Sequence, residues 1–126
     1  MYLFDTNIFL EILLSQNNSN KCKKVLNSNL GNIYISDFSL HSIGVILFRN
    51  NLDEVFNSFI LDIIPNIEII SLSNESYGKL SIIKEKFNLD FDDAYQYFIA
   101  KEQGLSVFTM DKDFIRVKHE IEVVFV

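Results

Sequence analysis

The stretch FDDAYQYFIA, Phe91 to Ala100, places two adjacent aspartates at the start of what is otherwise the pattern of a buried helix. Asp90 lies just upstream, so three carboxylates fall within four residues. An acidic residue at a helix start is ordinary capping and dipole chemistry, and we interpret Asp90 as a cap. Asp92 and Asp93 need a further explanation, because in a helix with an apolar face one of them must turn toward the apolar side.

Outward from this stretch, strand-like runs alternate with helical patterns along the whole chain. The alternation is typical of a parallel sheet that is covered by helices on both faces. We therefore predict one domain over residues 1–126, a three-layer α/β/α fold with a central, mostly parallel sheet of about five strands. One helix is predicted from Ser73, as its cap, to about Phe87, and the next from Asp90 to Gly104. The predicted strands are YLFD, NIYIS, IEIISL, LSVFT and IEVVFV.

The composition restricts the kinds of partner and the cellular setting. With a formal net charge of -6 and a pI near 4.8, the chain offers no broad basic groove for duplex DNA. Nucleic acid stays open as a partner, because a metal ion can neutralise a cluster of carboxylates. The single cysteine, Cys22, excludes an internal disulfide and a cysteine-rich zinc site. With no signal-peptide pattern and no apolar run of about 20 residues, we expect a soluble, cytoplasmic protein with no membrane partner.

Several aspartates fall where predicted strands end or helices begin. Asp5 ends the first strand, in FDTN, and Asp111 and Asp113 follow the fourth strand, in TMDKDF. Asp92 and Asp93 open the helix that precedes that strand. Parallel α/β sheets place their sites at the carboxyl ends of the strands. If the first and fourth strands are neighbours, these carboxylates therefore meet at one edge of the sheet.

Such a cluster indicates a divalent cation. Neighbouring carboxylates raise one another's pKa, and a hard cation removes that cost. Mg²⁺ and Mn²⁺ take oxygen ligands, polarise phosphoryl oxygens and activate water, so the cluster predicts metal-assisted hydrolysis of a phosphodiester. Asp5 carries most of this argument, because a charge at the end of a buried strand is costly unless it is paired or ligated. Asp111 and Asp113 are explained equally well as turn formers.

Polar residues near the aspartates have both a supporting and a purely structural interpretation. Asn7 is placed to hydrogen-bond the Asp5 carboxylate, or simply to cap the first helix. Thr109 is placed to orient Asp111. Gln96 lies three residues after Asp93 and therefore on the same face of the helix. Its side chain either contacts substrate or only forms part of the wall of the site.

Four further side chains are of the types that contact nucleic acid. Lys112 and Arg116 follow the fourth strand and are candidates for contacting phosphate, with solvated surface charge as the alternative. Tyr95 and Tyr97 are predicted to lie in the core or on a dimer surface rather than to stack on bases.

Three motifs resemble those of the PIN-domain family in order and spacing: DTN after the first strand, DDAYQYFIA at the start of a late helix, and TMDKDF after the next strand. They span nearly the whole chain, so the resemblance is to the complete domain. It implies a central parallel sheet, Mg²⁺- or Mn²⁺-dependent ribonuclease activity and often a homodimer. Many small bacterial and archaeal members are VapC-type toxins, each held inactive by an antitoxin, which implies a small antitoxin protein as a partner.

Carried over motif by motif, the resemblance implies Asp5 as the first acidic ligand, Asp93 as the third and Asp111 as the fourth. Asp113 is then an accessory acid, and Asp92 a candidate for the same role. We expect a metal-dependent endoribonuclease that hydrolyses RNA phosphodiester bonds, with Asp5, Asp93 and Asp111 as catalytic residues. By the same resemblance, it is the toxin of a toxin–antitoxin pair.

The second acidic position departs from the family pattern, in which a Glu follows the second strand in I-S-x-x-S/T-x-x-E. Here the stretch is ISDFSLHSIG, with Ser42 where the Glu stands and His41 beside it. Three interpretations stay open. In the first, His41 or Ser42 supports the site through a water molecule bound to the metal ion. In the second, Asp37 or Asp92 supplies the missing negative charge. Alternatively the site is weak or inactive, and the chain is a module that binds RNA or a protein partner.

Overall fold

The computed structural model describes residues 1–126, and its centre is a five-stranded sheet in which every neighbouring pair of strands is parallel. The strand order is β3-β2-β1-β4-β5, so the predicted α/β fold and its strand number are confirmed. The strands are β1 (Tyr2–Phe4), β2 (Ile33–Ser36), β3 (Glu68–Ile70), β4 (Ser106–Thr109) and β5 (Val123–Phe125).

Helices connect the strands and cover both faces of the sheet. None of them is long and apolar enough to cross a membrane. Short 3₁₀ segments lie at Ile64–Asn66 and Lys112–Val117. The α-helices are α1 (Thr6–Leu13), α2 (Ser19–Ser28), α3 (Asp37–Arg49), α4 (Asp53–Asp62), α5 (Asn74–Tyr77), α6 (Leu80–Phe87) and α7 (Phe91–Gln103).

Two hydrophobic cores form because successive side chains of a strand point to opposite faces of the sheet. In β1, Leu3 packs into a core with α6 and α7, whereas Phe4 packs into a core with α1, α2, α3 and α4. In β4, Val107 and Phe108 divide in the same way. The strands are therefore apolar on both faces, as buried parallel strands are, and the predicted three layers follow from this alternation.

The chain reverses its direction across the sheet between β1 and β4. β2 and β3 are added in turn on one side of β1. β4 then pairs with the other side of β1, and β5 pairs with β4. Phe4 and Phe108 are register partners, so Asp5 follows β1 close to where Asp111 follows β4. A crevice at the carboxyl ends of the strands is expected at such a reversal, and the two acidic motifs meet there.

The helix predicted from Ser73 to about Phe87 is interrupted in the structure. α5 ends at Tyr77, and α6 starts at Leu80 after Gly78, a residue of low helix propensity. Ser73 makes no capping hydrogen bond, because its hydroxyl donates to Glu102 Oε1 at 2.7 Å. This contact fastens α5 to α7, so the prediction of one capped helix is wrong.

Asp90 occupies the N-cap position of α7, but its side chain makes no capping hydrogen bond. Its backbone oxygen accepts the Ala94 N–H at 2.9 Å, while its carboxylate is exposed. The predicted side-chain cap is therefore absent. Asp92 and Asp93 lie in the first turn of α7, where the positive end of the helix dipole favours negative charge.

Tyr95 fixes the orientation of α7 through its buried hydroxyl. The hydroxyl donates to Asp37 Oδ1 at 2.7 Å and accepts from the Leu72 N–H at 3.2 Å and from the Tyr77 hydroxyl at 3.3 Å. These partners lie on α3, after β3 and on α5. The bonds therefore join three parts of the chain to the helix that carries Asp93.

Replacing Tyr95 by Phe is expected to lower the free energy of unfolding by about 1–3 kcal/mol, because the Leu72 N–H is left buried without an acceptor. Urea denaturation measures the loss. Tyr97→Phe is the matched control, since Tyr97 is 4% exposed on the same helix and its hydroxyl is outside this network. The control should lose less than about 0.5 kcal/mol. Equal losses in both variants would contradict this role of the hydroxyl.

Candidate functional site

The predicted acidic residues surround a cavity of about 290 Å³ at the carboxyl ends of β1 and β4. Asp5 enters it from the end of β1, Asp92 and Asp93 from the first turn of α7, and Asp111 from the end of β4. Ser42 and Gln96 are also part of its wall. Residues far apart in the sequence thus meet in one place because β1 and β4 are neighbours.

Asp93, Asp111 and Asp113 form an acidic group at the crevice, with ligand oxygens within 4.8 Å of one another. Asp111 is the N-cap of the 3₁₀ segment Lys112–Val117, where its Oδ1 accepts the Asp113 N–H at 2.9 Å. That turn brings both side chains to the same edge. Asp92 is exposed and lies in a second group with Asp90 and Asp93.

The Asp5 carboxylate is 7% exposed and accepts four hydrogen bonds. Oδ1 accepts from the Thr6 N–H at 2.8 Å and from Gln96 Nε2 at 3.3 Å. Oδ2 accepts from Thr109 Oγ1 at 2.7 Å and from Asn7 Nδ2 at 3.3 Å. A carboxylate has about four acceptor sites. A cation that binds Asp5 directly must therefore displace one of these donors. The hydrogen bonds from Asn7 and Gln96 are the longest of the four, so they are the ones a cation would displace most easily.

Burial raises the pKa of Asp5 above its ordinary value, and hydrogen bonds from Thr109, Gln96 and Thr6 oppose that rise. Asp111 adds a smaller repulsion in the same direction as burial. The cost of burying a carboxylate at the end of the central strand is therefore reduced by donors that the surrounding elements supply.

Thr109 and Asn7 connect the two strand ends. Thr109 Oγ1 donates to Asp5 and accepts the Asp111 N–H at 2.9 Å, so one hydroxyl contacts both acidic residues. Asn7 Nδ2 donates to Asp5, and Asn7 Oδ1 accepts the Met110 N–H at 3.2 Å. The structure thus places both supporting residues between the first and the last acidic motif.

Gln96 is 2% exposed and joins α7 to α3 beneath the carboxylates. Its Nε2 donates to Ser39 Oγ at 2.8 Å as well as to Asp5, while its Oε1 is buried without any partner. Ser39 Oγ also accepts from Thr6 Oγ1 at 2.7 Å and from Ser36 Oγ at 3.0 Å. Sequence reasoning missed Ser39, although its spacing from the helix cap Ser36 in ISDFS was a signal.

The charges of the other acidic residues act directly on Asp93. It is 6% exposed, and burial together with the charges of Asp111, Asp92, Asp5 and Asp113 raises its pKa from 3.8 to about 8. Without a counterion this carboxyl therefore holds a proton at neutral pH. A nearby positive charge would reverse that preference, because it favours the ionised form.

The structure separates the two residues that were considered for the missing second acid. Ser42 is half-buried in the acidic cavity, whereas His41 is exposed and lines a separate cleft beside Asp37. Successive residues of a helix point about 100° apart, so His41 and Ser42 cannot share one face of α3. His41 is therefore not a supporting residue of the cavity. Asp37 is engaged with Tyr95, which leaves Asp92 as the alternative acid that the cavity contains.

Lys112 and Arg116 do not line the acidic cavity. Lys112 Nζ lies 5.1 Å from the centre of the Phe125 ring. Arg116 lies 3.3 Å from Asp113 and donates to the Asn88 backbone oxygen at 2.9 Å. Both side chains have partners within the protein, and that of Arg116 is the Asp113 carboxylate of the acidic group.

The donor set fits a hard divalent cation. Carboxylate oxygens are the ligands that Mg²⁺ and Mn²⁺ prefer, and three of them lie close together here. The raised pKa of Asp93 reports repulsion that a cation relieves, and Gln96 Oε1 is a buried oxygen that lacks a partner. Imidazole and thiolate ligands are absent from the cavity wall, so a softer metal has less to bind.

Comparison with known proteins agrees with this architecture. A family model described as PIN domain matches residues 2–120. The comparison with curated proteins found no significant match.

Solved structures with the same fold include a toxin–antitoxin complex from Klebsiella pneumoniae, at 22% identity and a TM-score of 0.78, covering 98% of this chain and 96% of that one. FitAcB from Neisseria gonorrhoeae is 20% identical with a TM-score of 0.77, covering 100% and 97%. VapC20 from Mycobacterium tuberculosis, a Sarcin-Ricin loop cleaving toxin, is 13% identical with a TM-score of 0.76, covering 91% and 93%. At these identities the likeness shows a shared fold.

The raised pKa of Asp93 predicts a pH-dependent stability in the absence of metal. Between pH 3.8 and about 8 the folded state holds a proton that the unfolded state releases, so the free energy of unfolding falls as pH rises through this window. Asp93→Asn should weaken this dependence and raise the melting temperature by a few degrees near pH 8. Thermal unfolding in EDTA across the window measures both effects.

Asp62→Asn is the control, since Asp62 is an exposed carboxylate at the end of α4, outside the cavity. Its pH profile should match that of the wild type. The Asp5 carboxyl contributes to the profile of every variant, because its pKa is also raised. Superimposable profiles for wild type and Asp93→Asn would show that repulsion at Asp93 is absent.

Proposed function

The chain belongs to the PIN domain family, and we propose that it is a divalent-metal-dependent ribonuclease that hydrolyses RNA phosphodiester bonds. One observation carries the proposal: Asp93, Asp111 and Asp113 bring their oxygens within 4.8 Å of one another beside the buried Asp5 carboxylate. Only a cation makes such a concentration of negative charge compatible with binding a phosphate, which is itself an anion.

The acidic residues divide into two roles. Asp93, Asp111 and Asp113 hold the Mg²⁺ or Mn²⁺ ion, and Asp92 adds negative charge at the mouth of the cavity. Asp5 accepts four hydrogen bonds, which leave its carboxylate no free acceptor site. It therefore contributes negative charge next to the ion and holds the surrounding residues in position. When bound, the ion supplies a Lewis acid for the phosphoryl group and lowers the pKa of water.

The chain's own residues set the geometry in which hydrolysis takes place. Thr109 ties Asp5 to the backbone of Asp111, so the ends of β1 and β4 cannot separate. Gln96 holds Asp5 against α3 through Ser39. Asp93, once ionised beside a cation, becomes a fixed acceptor in the wall of the cavity and is able to orient a water or receive its proton.

The alternative function is a catalytically weak or inactive domain that binds RNA or a protein. Ser42 favours it, because a hydroxyl stands in the cavity at the position where the family pattern has a carboxylate. Four acidic residues remain in the cavity wall, and Asp113 lies beside them, which favours the active enzyme. Metal-dependent cleavage discriminates between the two functions.

The biological role that we attach to this activity is that of a toxin with a small antitoxin partner. Its support is the set of structural neighbours, which includes a toxin–antitoxin complex and a Sarcin-Ricin loop cleaving toxin. A homodimer is part of the same proposal and rests on the family alone. Growth arrest on expression of the chain, relieved by Asp93→Asn, is the outcome that this role requires.

RNA cleavage tests the proposal directly. Wild type should cleave single-stranded or structured RNA with Mg²⁺ or Mn²⁺, lose the activity in EDTA and regain it when Mn²⁺ is restored. Asp93→Asn and Asp111→Asn should each reduce the rate by about 100-fold or more, because each removes one charge that holds the ion. Gel analysis of a labelled RNA measures the rates, with Asp62→Asn as the folded control.

Cleavage that survives in EDTA, or that both site variants retain, would reveal a contaminating nuclease or a different mechanism. Absence of any cleavage by the wild type, at millimolar metal and over a range of RNAs, would favour the binding module instead.

Restoring an acid at position 42 gives a second test. Ser42→Glu should raise the affinity for Mn²⁺ by about tenfold, since each added carboxylate strengthens a hard-cation site. Ser42→Gln is the matched control for size without charge and should leave the affinity near the wild-type value. Isothermal calorimetry measures both. Equal affinities for the Glu and Gln variants would place Ser42 outside the ion's reach.

A further inference from the structure

A second cleft lies at the start of α7. It has a volume of about 560 Å³ and lies between α6 and the first residues of α7. Asp90 and Phe91 line this cleft, whereas the next two residues, Asp92 and Asp93, line the acidic cavity. The first turn of α7 therefore contributes side chains to both spaces. A volume of this size is in the range that small-molecule ligands occupy.

Phe91 presents an exposed aromatic ring in this cleft, one residue before Asp92 of the acidic cavity. The ring is 54% exposed although its neighbours hold it in place. It lies 6.2 Å from the Tyr95 ring at an interplanar angle of 27°, so one face is covered by a nearly parallel ring. Its edge meets Phe38 at 6.2 Å, and Phe38 is part of the acidic cavity wall. A supported ring with an exposed face is suited to stacking on a planar ligand.

Two further side chains give the cleft the chemistry of a nucleotide site. Tyr77 is 47% exposed and places a second ring 5.8 Å from Tyr95. Lys84 is exposed in the same cleft and offers an ammonium group, which is scarce around the acidic site. Aromatic rings stack on unpaired bases, and a lysine contacts the phosphate that accompanies them.

We propose that this cleft is a subsite for one unpaired nucleotide of an RNA strand whose neighbouring phosphate lies in the acidic cavity. The base stacks on Phe91, with Tyr77 beside it, and Lys84 contacts the backbone. A base inside a duplex is not available for such stacking, so the subsite selects single-stranded or looped RNA. The inference rests on the proposed ribonuclease function and names its substrate class.

A second copy of this chain is the competing occupant of the same surface. Exposed carboxylates flank Phe91 on both sides, at Asp90 and Asp92. The cores of protein interfaces are depleted of charged side chains, so an isolated ring between two aspartates is a poor centre for a subunit contact. A nucleotide needs only the face of the ring and one cation, which the cleft supplies. The observations therefore favour RNA.

Fluorescence anisotropy with a short labelled single-stranded RNA tests the subsite, with Ca²⁺ in place of Mg²⁺ or Mn²⁺ so that a hard cation still neutralises the carboxylates, and with the signal read before cleavage products appear on a gel. Phe91→Ala should weaken binding by about 5- to 150-fold, and Phe91→Trp should preserve it. Ile82→Ala is the control for loss of an exposed apolar side chain, since Ile82 is 62% exposed on α6 and outside the cleft. It should bind as the wild type does.

Two further measurements test whether the loss of affinity comes from one base and one phosphate. Placing an abasic nucleotide at the stacked position should reduce wild-type binding and abolish the difference between wild type and Phe91→Ala. Lys84→Met keeps the apolar stem and should reduce the slope of log affinity against log salt by about 0.7. A scan of abasic positions that never removes the Phe91 effect would overturn the subsite.

Sedimentation of the same samples measures their oligomeric state, which distinguishes a subunit contact at Phe91 from RNA binding. If Phe91→Ala splits a dimer while the RNA affinity per protomer is unchanged, the ring is a subunit contact and the inference is wrong. RNA that does not bind to the wild type in Ca²⁺ overturns it as well. The ribonuclease function is judged independently by cleavage with Mn²⁺, so an active enzyme that is indifferent to Phe91→Ala would remove the subsite and leave the function intact.

Discussion

The buried carboxylate of Asp5 is the constraint on which the rest of the site depends. It stands at the end of the central strand, where an ionised group is costly unless donors surround it. Four donors do so, from the start of α1, from β4 and from α7. Because Thr109 donates to one oxygen of Asp5 and Gln96 to the other, satisfying one carboxylate fixes β4 and α7 against β1 and thereby sets where Asp111 and Asp93 lie.

The acidic cluster is destabilising for the metal-free protein and useful for binding a cation. Asp93 shows this most clearly, since burial and four neighbouring carboxylates raise its pKa to about 8. Hydrogen bonding offsets part of the cost at Asp5 but not at Asp93, which lacks comparable donors. Tyr95 anchors α7 to α3 and to the chain after β3. These hydrogen bonds hold the helix in place despite the electrostatic repulsion among the carboxylates near its first turn.

The alternation of strands and helices was sufficient to predict the parallel sheet, and the place of Asp5, Asp93 and Asp111 in that pattern predicted their convergence. Contacts between distant residues were not predictable in the same way. The missing Ser73 cap depends on Glu102, whose carboxylate accepts from the hydroxyls of Ser73 and Ser76 on a different helix. That His41 and Ser42 line different clefts of α3 was visible only once the helix was docked.

The position of a bound Mn²⁺ ion tests the central claim most directly, and anomalous scattering from crystals grown with millimolar Mn²⁺ would locate it. The account predicts a strong peak within coordination distance of the Asp93, Asp111 and Asp113 carboxylates, beside Asp5, and no such peak in Asp93→Asn. An ordered ion elsewhere with this cavity empty, or no ordered ion at saturating Mn²⁺, would contradict the account.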